Sequence, residues 1–167
     1  MRRKRIITAV ILVLITLVGV AVSQFSLSAL PEPGKVETYL ATKGKHLLVA
    51  RGSRGIAQSP ATTPAAAAEG EKLYGAECSM CHGMDARTPT GIGRAMYPRA
   101  VDLTSSQVQG YSDAELFWIT KNGVRLSGMP AFGKAETDAH IWSIVQYLRT
   151  VSVVVGNKTR GLAVRNP

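Results

Sequence analysis

A chain of 167 residues has room for one modest domain with appendages, and its two cysteines exclude a fold stapled by several disulfides. The formal charge of +9 suggests a nucleic-acid binder only until it is located along the chain. Glu69 to Arg149 holds eight Lys or Arg against nine Asp or Glu, so the surplus belongs to the flanks and argues against nucleic acid as a partner.

Arg2-Arg3-Lys4-Arg5 precedes an apolar run from Ile6 to Val22, and no further charge appears until Glu32. With its neutral continuation through Phe25, this run predicts a transmembrane helix, residues 1–30 forming a membrane anchor. The basic cluster should stay cytoplasmic, which places everything after the span outside. A cleavable signal peptide ending near Ala21-Val22-Ser23 is the alternative, but the run is longer than such peptides need. Either way the chain is exported. The expected location is single-pass in the cytoplasmic (inner) membrane, with the remainder in the periplasm or another extracytoplasmic space.

Pro31 and Pro33-Gly34 break the helix, and residues 31–62 read as a juxtamembrane segment and linker. Val36, Tyr39, Leu40, Leu47 and Leu48 fall near one face of a short amphipathic helix. Such a helix either lies on anionic lipid or acts as a spacer with solvated charges. Gly52 to Ala68, rich in Gly, Ser, Thr, Pro and Ala, reads as flexible and then helical, with Thr63-Pro64 as a helix start.

Cys78-Ser79-Met80-Cys81-His82 carries the chemistry. Two cysteines three apart share one face of a helical turn and can bond one porphyrin, and the following His can ligate its iron; this is the attachment pattern of a c-type haem. A zinc half-site would need two more soft ligands, and the chain offers only the distant His46 and His140. A dithiol redox pair would sit in a βαβ pattern that is not visible here. One covalent haem c is therefore the expected cofactor. Its attachment outside the cytoplasm in bacteria agrees with the N-terminal export signal.

Gly70, Tyr74 and Cys78 fall four apart on one helix face. Together with Cys81 and His82 they resemble the opening of class I cytochromes c, monohaem and here membrane-anchored. The resemblance covers roughly Thr63 to Thr150. It implies an all-α fold, three or more helices wrapped around the haem, over residues 63–152, followed by a basic tail at 153–167. It also implies a close helix crossing at Gly70 with the aromatic Tyr74 packed beside it. That family carries Gly-Pro about a dozen residues beyond the haem His, where a carbonyl accepts the imidazole N–H. Here Arg94 follows Gly93, so a nearby carbonyl must serve. By the same resemblance Met129, in Ser127-Gly128-Met129-Pro130, is the distal iron ligand opposite His82, and Met96 is its competitor.

Arg99 is a candidate partner for a haem propionate, since a guanidinium pairs with a carboxylate in two-pronged fashion; Tyr97 is a candidate donor to the same group. Ser112 and Glu115 form a capping box for a helix ending at Asn122-Gly123. On it Trp118 is a candidate contact for the haem edge, with ordinary core packing as the alternative. Thr137-Asp138 caps the last helix, predicted to end near Thr150 with Ile141, Ile144, Val145 and Leu148 buried.

The resemblance implies a single-electron carrier, not an enzyme, exchanging electrons with redox protein partners such as a membrane oxidoreductase. A fixed haem subunit of a membrane dehydrogenase or terminal oxidase complex is the alternative in the same class. A haem-based gas sensor or peroxidase would require an open distal position.

Overall fold

The computed structural model describes residues 2–23, 28–57 and 59–163, with side chains described as far as Val151 except at residue 21. The expected basic tail, 153–167, therefore lies wholly outside the described side chains. Among the described residues there are helices and turns and no strand, which agrees with the all-α expectation.

The spine is the C-terminal helix α8, Asp138–Ala163. Its stripe Ile141, Ile144, Val145 and Leu148 is buried as the spacing predicts, with Ile141 and Val145 at 0% exposure. Burial of each such side chain stabilises the fold by about 1.5–3 kcal/mol. The helix does not stop near Thr150. No proline follows until Pro167, so the chain has no strong breaker there.

Helix α3, Pro64–Glu77, begins as expected: Thr63 Oγ1 accepts from the Ala66 N–H, and Pro64 takes the first turn. It crosses α8 at Gly70. A Cβ placed there would lie 1.9 Å from the Ser143 carbonyl oxygen, so only glycine permits this approach. Tyr147 packs over the crossing, its ring 5.2 Å from that of Tyr74.

Four short elements follow: α4, Ser79–His82; α5, Gly91–Ala95; α6, Ser106–Gln109; and α7, Asp113–Asn122. The predicted capping box of α7 forms in both directions between Ser112 and Glu115. Leu116 and Phe117 enter the core, and Phe117 stacks on Trp142 at 4.3 Å. Arg149, missed by the sequence pattern, fastens α8 to this region. It donates to Asp113, to the carbonyls of Gln109 and Tyr111, and to the Gln109 side chain.

The N-terminal part departs most from expectation. Helix α1, Arg2–Ser23, forms, and its large apolar side chains from Ile6 onward are exposed. Yet among the described residues no helix is long and apolar enough to cross a membrane. The expected continuation at residues 24–27 lies outside the described residues.

Helix α2, Lys35–Gly52, also forms, with the predicted apolar stripe outward and a different face packed on the domain. Val36, Tyr39, Leu40, Leu47 and Leu48 point outward, while Val49, 2% exposed, joins Leu116 and Phe117 in the core. Gly52 fits against the Trp118 indole, which a Cβ would meet at 2.5 Å. The segment read as a flexible linker is fastened too. Ile56 packs on the same core, and the Pro60 carbonyl accepts from Gln146 Nε2 at 3.3 Å.

Candidate functional site

These elements enclose one apolar cavity of about 1180 Å³, counting the open space at its mouth. Leu116, Ile119, Ile144 and Leu148 supply apolar walls from α7 and α8. Cys78, Cys81 and His82 enter from α3 and α4, and Met96 and Met129 from two later loops. The Cys/His motif and both candidate thioethers are thus brought to one space. Neither His46 nor His140 lines it: His46 stacks on Tyr111 at 4.7 Å, and His140 pairs with Glu136.

The attachment turn is held from several sides. Both cysteines are free and half-buried. The Cys78 thiol is pushed up to about 12 by burial first, then by the neighbouring Glu77 and Cys81, so it is protonated at neutral pH. Thr90 Oγ1 donates to the Met80 carbonyl at 2.6 Å, and the Thr90 N–H to that of Cys81 at 3.1 Å. Gly93 lets its segment approach, since a Cβ there would sit 2.1 Å from the Cys81 carbonyl oxygen.

His82 Nδ1 lies 2.9 Å from the carbonyl oxygen of Val101. A carbonyl only accepts, so the proton is on Nδ1 and Nε2 keeps its lone pair. Burial lowers the His82 pKa and the Val101 bond partly opposes it, which keeps the ring neutral. The carbonyl that replaces the missing Gly-Pro therefore comes from residue 101. No side-chain signature marks a backbone acceptor, so the sequence offered no means of choosing it.

Tyr74, 1% exposed, donates its hydroxyl to the Gly83 carbonyl at 2.6 Å and so ties α3 to the end of the attachment turn. Burial raises its pKa well above the tyrosine range, keeping the donor protonated. Tyr74→Phe keeps the ring contact with Tyr147 and removes this bond. The expected cost is about 0.5–1.5 kcal/mol in denaturant unfolding, because one buried hydrogen bond is lost while the Gly83 carbonyl keeps the Ala86 N–H at 3.2 Å.

Met129 sits on a closed loop. The Val124 N–H donates to the Met129 carbonyl at 3.3 Å, and Ser127 Oγ accepts from the Met129 N–H at 3.2 Å. Gly123, at φ +68°, leaves no room for a Cβ, which would lie 2.6 Å from the Pro130 oxygen. Met96 packs against Gly128, its sulfur 2.5 Å from where a Cβ would stand. The two sulfurs thus line one cavity from adjoining positions.

The remaining candidates divide. Arg99 lines the cavity and is paired with Glu32 of the N-terminal arm. Tyr97 does not line it; its hydroxyl donates to Glu37 of the same arm. Trp118 turns away from the cavity toward Gly52, so the core reading of this residue is the one its position supports. Lys45, from α2, lines the cavity and was not singled out by the sequence reading, because its helix lies outside the domain that the motifs delimit.

The donor set fits a covalently held haem. Two thiols and an imidazole with a free Nε2 share one apolar space with neutral thioether sulfur, the soft partner such iron takes. When bound, the haem supplies one-electron redox chemistry. Cys78 and Cys81 would hold its edge, His82 and a methionine its iron, and the apolar walls would keep water from the metal. Among the described residues no group of three or more His, Cys, Asp or Glu is placed to hold a bare metal ion.

Residues 65–148 match the protein-family model described as cytochrome c oxidase, cbb3-type, subunit III. Among solved structures, the chain is similar to one from the reducing HAO-like protein complex of Kuenenia stuttgartiensis. The TM-score is 0.51 at 22% identity, over 56% of this chain and 46% of that one. At that identity the likeness concerns the fold, and this chain spans less than half of the other's length. A search of curated proteins finds no match.

Proposed function

We propose, because the chain belongs to the family of cytochrome c oxidase, cbb3-type, subunit III, that this c-type cytochrome carries one covalent haem c and passes single electrons between redox proteins. One observation carries the reading: His82, with Nδ1 bonded to Val101 and Nε2 free, shares an apolar cavity with Cys78, Cys81 and Met129. In this reading Cys78 and Cys81 form the thioether links, and His82 and Met129 are the axial ligands. Both iron positions are then filled, so the protein is an electron carrier and not a peroxidase or gas sensor.

The carrier is tethered to the outer face of the cytoplasmic membrane, with its haem domain in the periplasm. Supporting this are the basic cluster before Ile6, the exposed apolar side chains of α1, and the outward apolar stripe of α2. The anchor is the uncharged stretch that begins in α1 and extends in the sequence through Phe25.

A second reading, favoured by the family description, makes the protein a fixed haem subunit of a terminal oxidase complex. The full chain, produced with a c-haem maturation system, tests both. Denaturing gels should retain haem on the wild type and lose it in Cys78→Ser/Cys81→Ser, and the protein should sediment with membranes. Matured wild type without covalent haem overturns the main reading. Co-purification with an oxidase after mild detergent extraction selects the second.

A further inference from the structure

We infer that the N-terminal arm completes the haem cleft, with Lys45 supplying the cation that meets a propionate carboxylate of the bound porphyrin. The inference rests on the haem reading above and adds a residue outside the matched region 65–148.

Three observations carry it. Lys45 lines the cavity although its helix, α2, precedes the haem domain, and Val49 and Gly52 hold that helix against α7. Its ammonium, half-buried, lies 5.8 Å over the Tyr111 ring and, among the described residues, pairs with no carboxylate. A cation partly withdrawn from water with no anion beside it carries a desolvation cost that an anionic ligand offsets. The other cation on this wall, Arg99, already has Glu32 of the arm as its partner. Glu77, the acid that lines the cavity, stands beside Cys78 at the attachment turn. The rest of the lining carries no further acid, Lys or Arg, so the negative edge of a porphyrin finds its uncompensated positive charge at Lys45. Burial also lowers the Lys45 pKa, a cost that a carboxylate partner would relieve.

The arm is therefore part of the cofactor site as well as a tether. Glu32 to Arg99, Glu37 to Tyr97, His46 on Tyr111 and Gly52 on Trp118 are four further points at which it is fastened.

The test uses full-length, haem-loaded protein with Lys45→Gln, Lys45→Arg, and Lys43→Gln as an exposed control on the same helix. Resonance Raman reads the propionate bending band, and redox titration reads the midpoint potential. Lys45→Gln should move the band and lower the potential, because a lost positive charge favours the ferric state. Lys45→Arg should restore both toward wild type, and Lys43→Gln should leave the band in place. A haem-loaded Lys45→Gln protein that matches Lys43→Gln in both measurements overturns this inference alone. A wild-type protein that acquires no covalent haem overturns the underlying reading as well.

Discussion

Met129→Ala abolishes the weak far-red sulfur-to-iron band of the oxidised protein, lowers the reduction potential, and lets the reduced protein bind carbon monoxide. This is the expected result if the loop after α7 supplies the distal ligand. A thioether stabilises ferrous iron, so its loss favours the ferric state, and the vacated position admits a small ligand. Met96→Ala is the necessary comparison, because both sulfurs line the cavity and Met96 packs against Gly128. The argument for Met129 is the backbone beneath it. The Val124 N–H, Ser127 Oγ and the tight turn at Gly123 hold its main chain, so little freedom remains to be lost when the sulfur engages a metal. Met96→Ala should keep the band and lose only packing. The reverse pattern, with the band surviving in Met129→Ala and absent from Met96→Ala, assigns the ligand to Met96. If neither variant changes the spectrum of a wild type that binds carbon monoxide, the iron is open and the electron-carrier reading falls.

Gly70→Ala carries the largest expected effect on folding. The added Cβ would lie 1.9 Å from the Ser143 carbonyl oxygen and 2.5 Å from its carbon, and both are backbone atoms of a helix. A flexible side chain could rotate away; a helix backbone must translate. Separating α3 from α8 also disturbs the Tyr74–Tyr147 contact and the bond from Tyr74 to Gly83, so the attachment turn moves with it. The expected cost is about 3 kcal/mol or more, at the upper end for overpacking a tight contact. The readouts are a lower thermal midpoint and a lower yield of haem-loaded protein. Gly75→Ala, on the same helix with open space around its Cβ position, is the control and should be close to neutral. Equal behaviour of the two variants would show that the crossing tolerates a methyl group.

Much of the site was legible before any coordinates. The Cys78–His82 motif, Gly70 and Tyr74 each depend on fixed helical spacing, and spacing is what a sequence displays directly. The same holds for the α8 stripe and the Ser112–Glu115 cap. Trp118 and Tyr97 were harder, because an aromatic suits a haem edge and an ordinary core equally well. Only packing partners distinguish the two, and those partners proved to be Gly52 and Glu37, residues 66 and 60 positions away in the chain. The docking of α2 on the domain was illegible for a related reason. Its apolar stripe is the one periodicity favours, yet the domain accepts Val49 and leaves that stripe outward.

The sequence by itself determined the Cys78–His82 motif and the helices that carry it, because motifs and caps act over a few residues. It also determined the location of the excess positive charge. Tertiary structure alone decided that Val101 orients the imidazole, that Met96 joins Met129 at the cavity, and that the arm brings Lys45 to the same space. Each of these joins groups that are distant along the chain, through backbone atoms or side chains with no characteristic spacing. Such contacts exist only once the helices have packed.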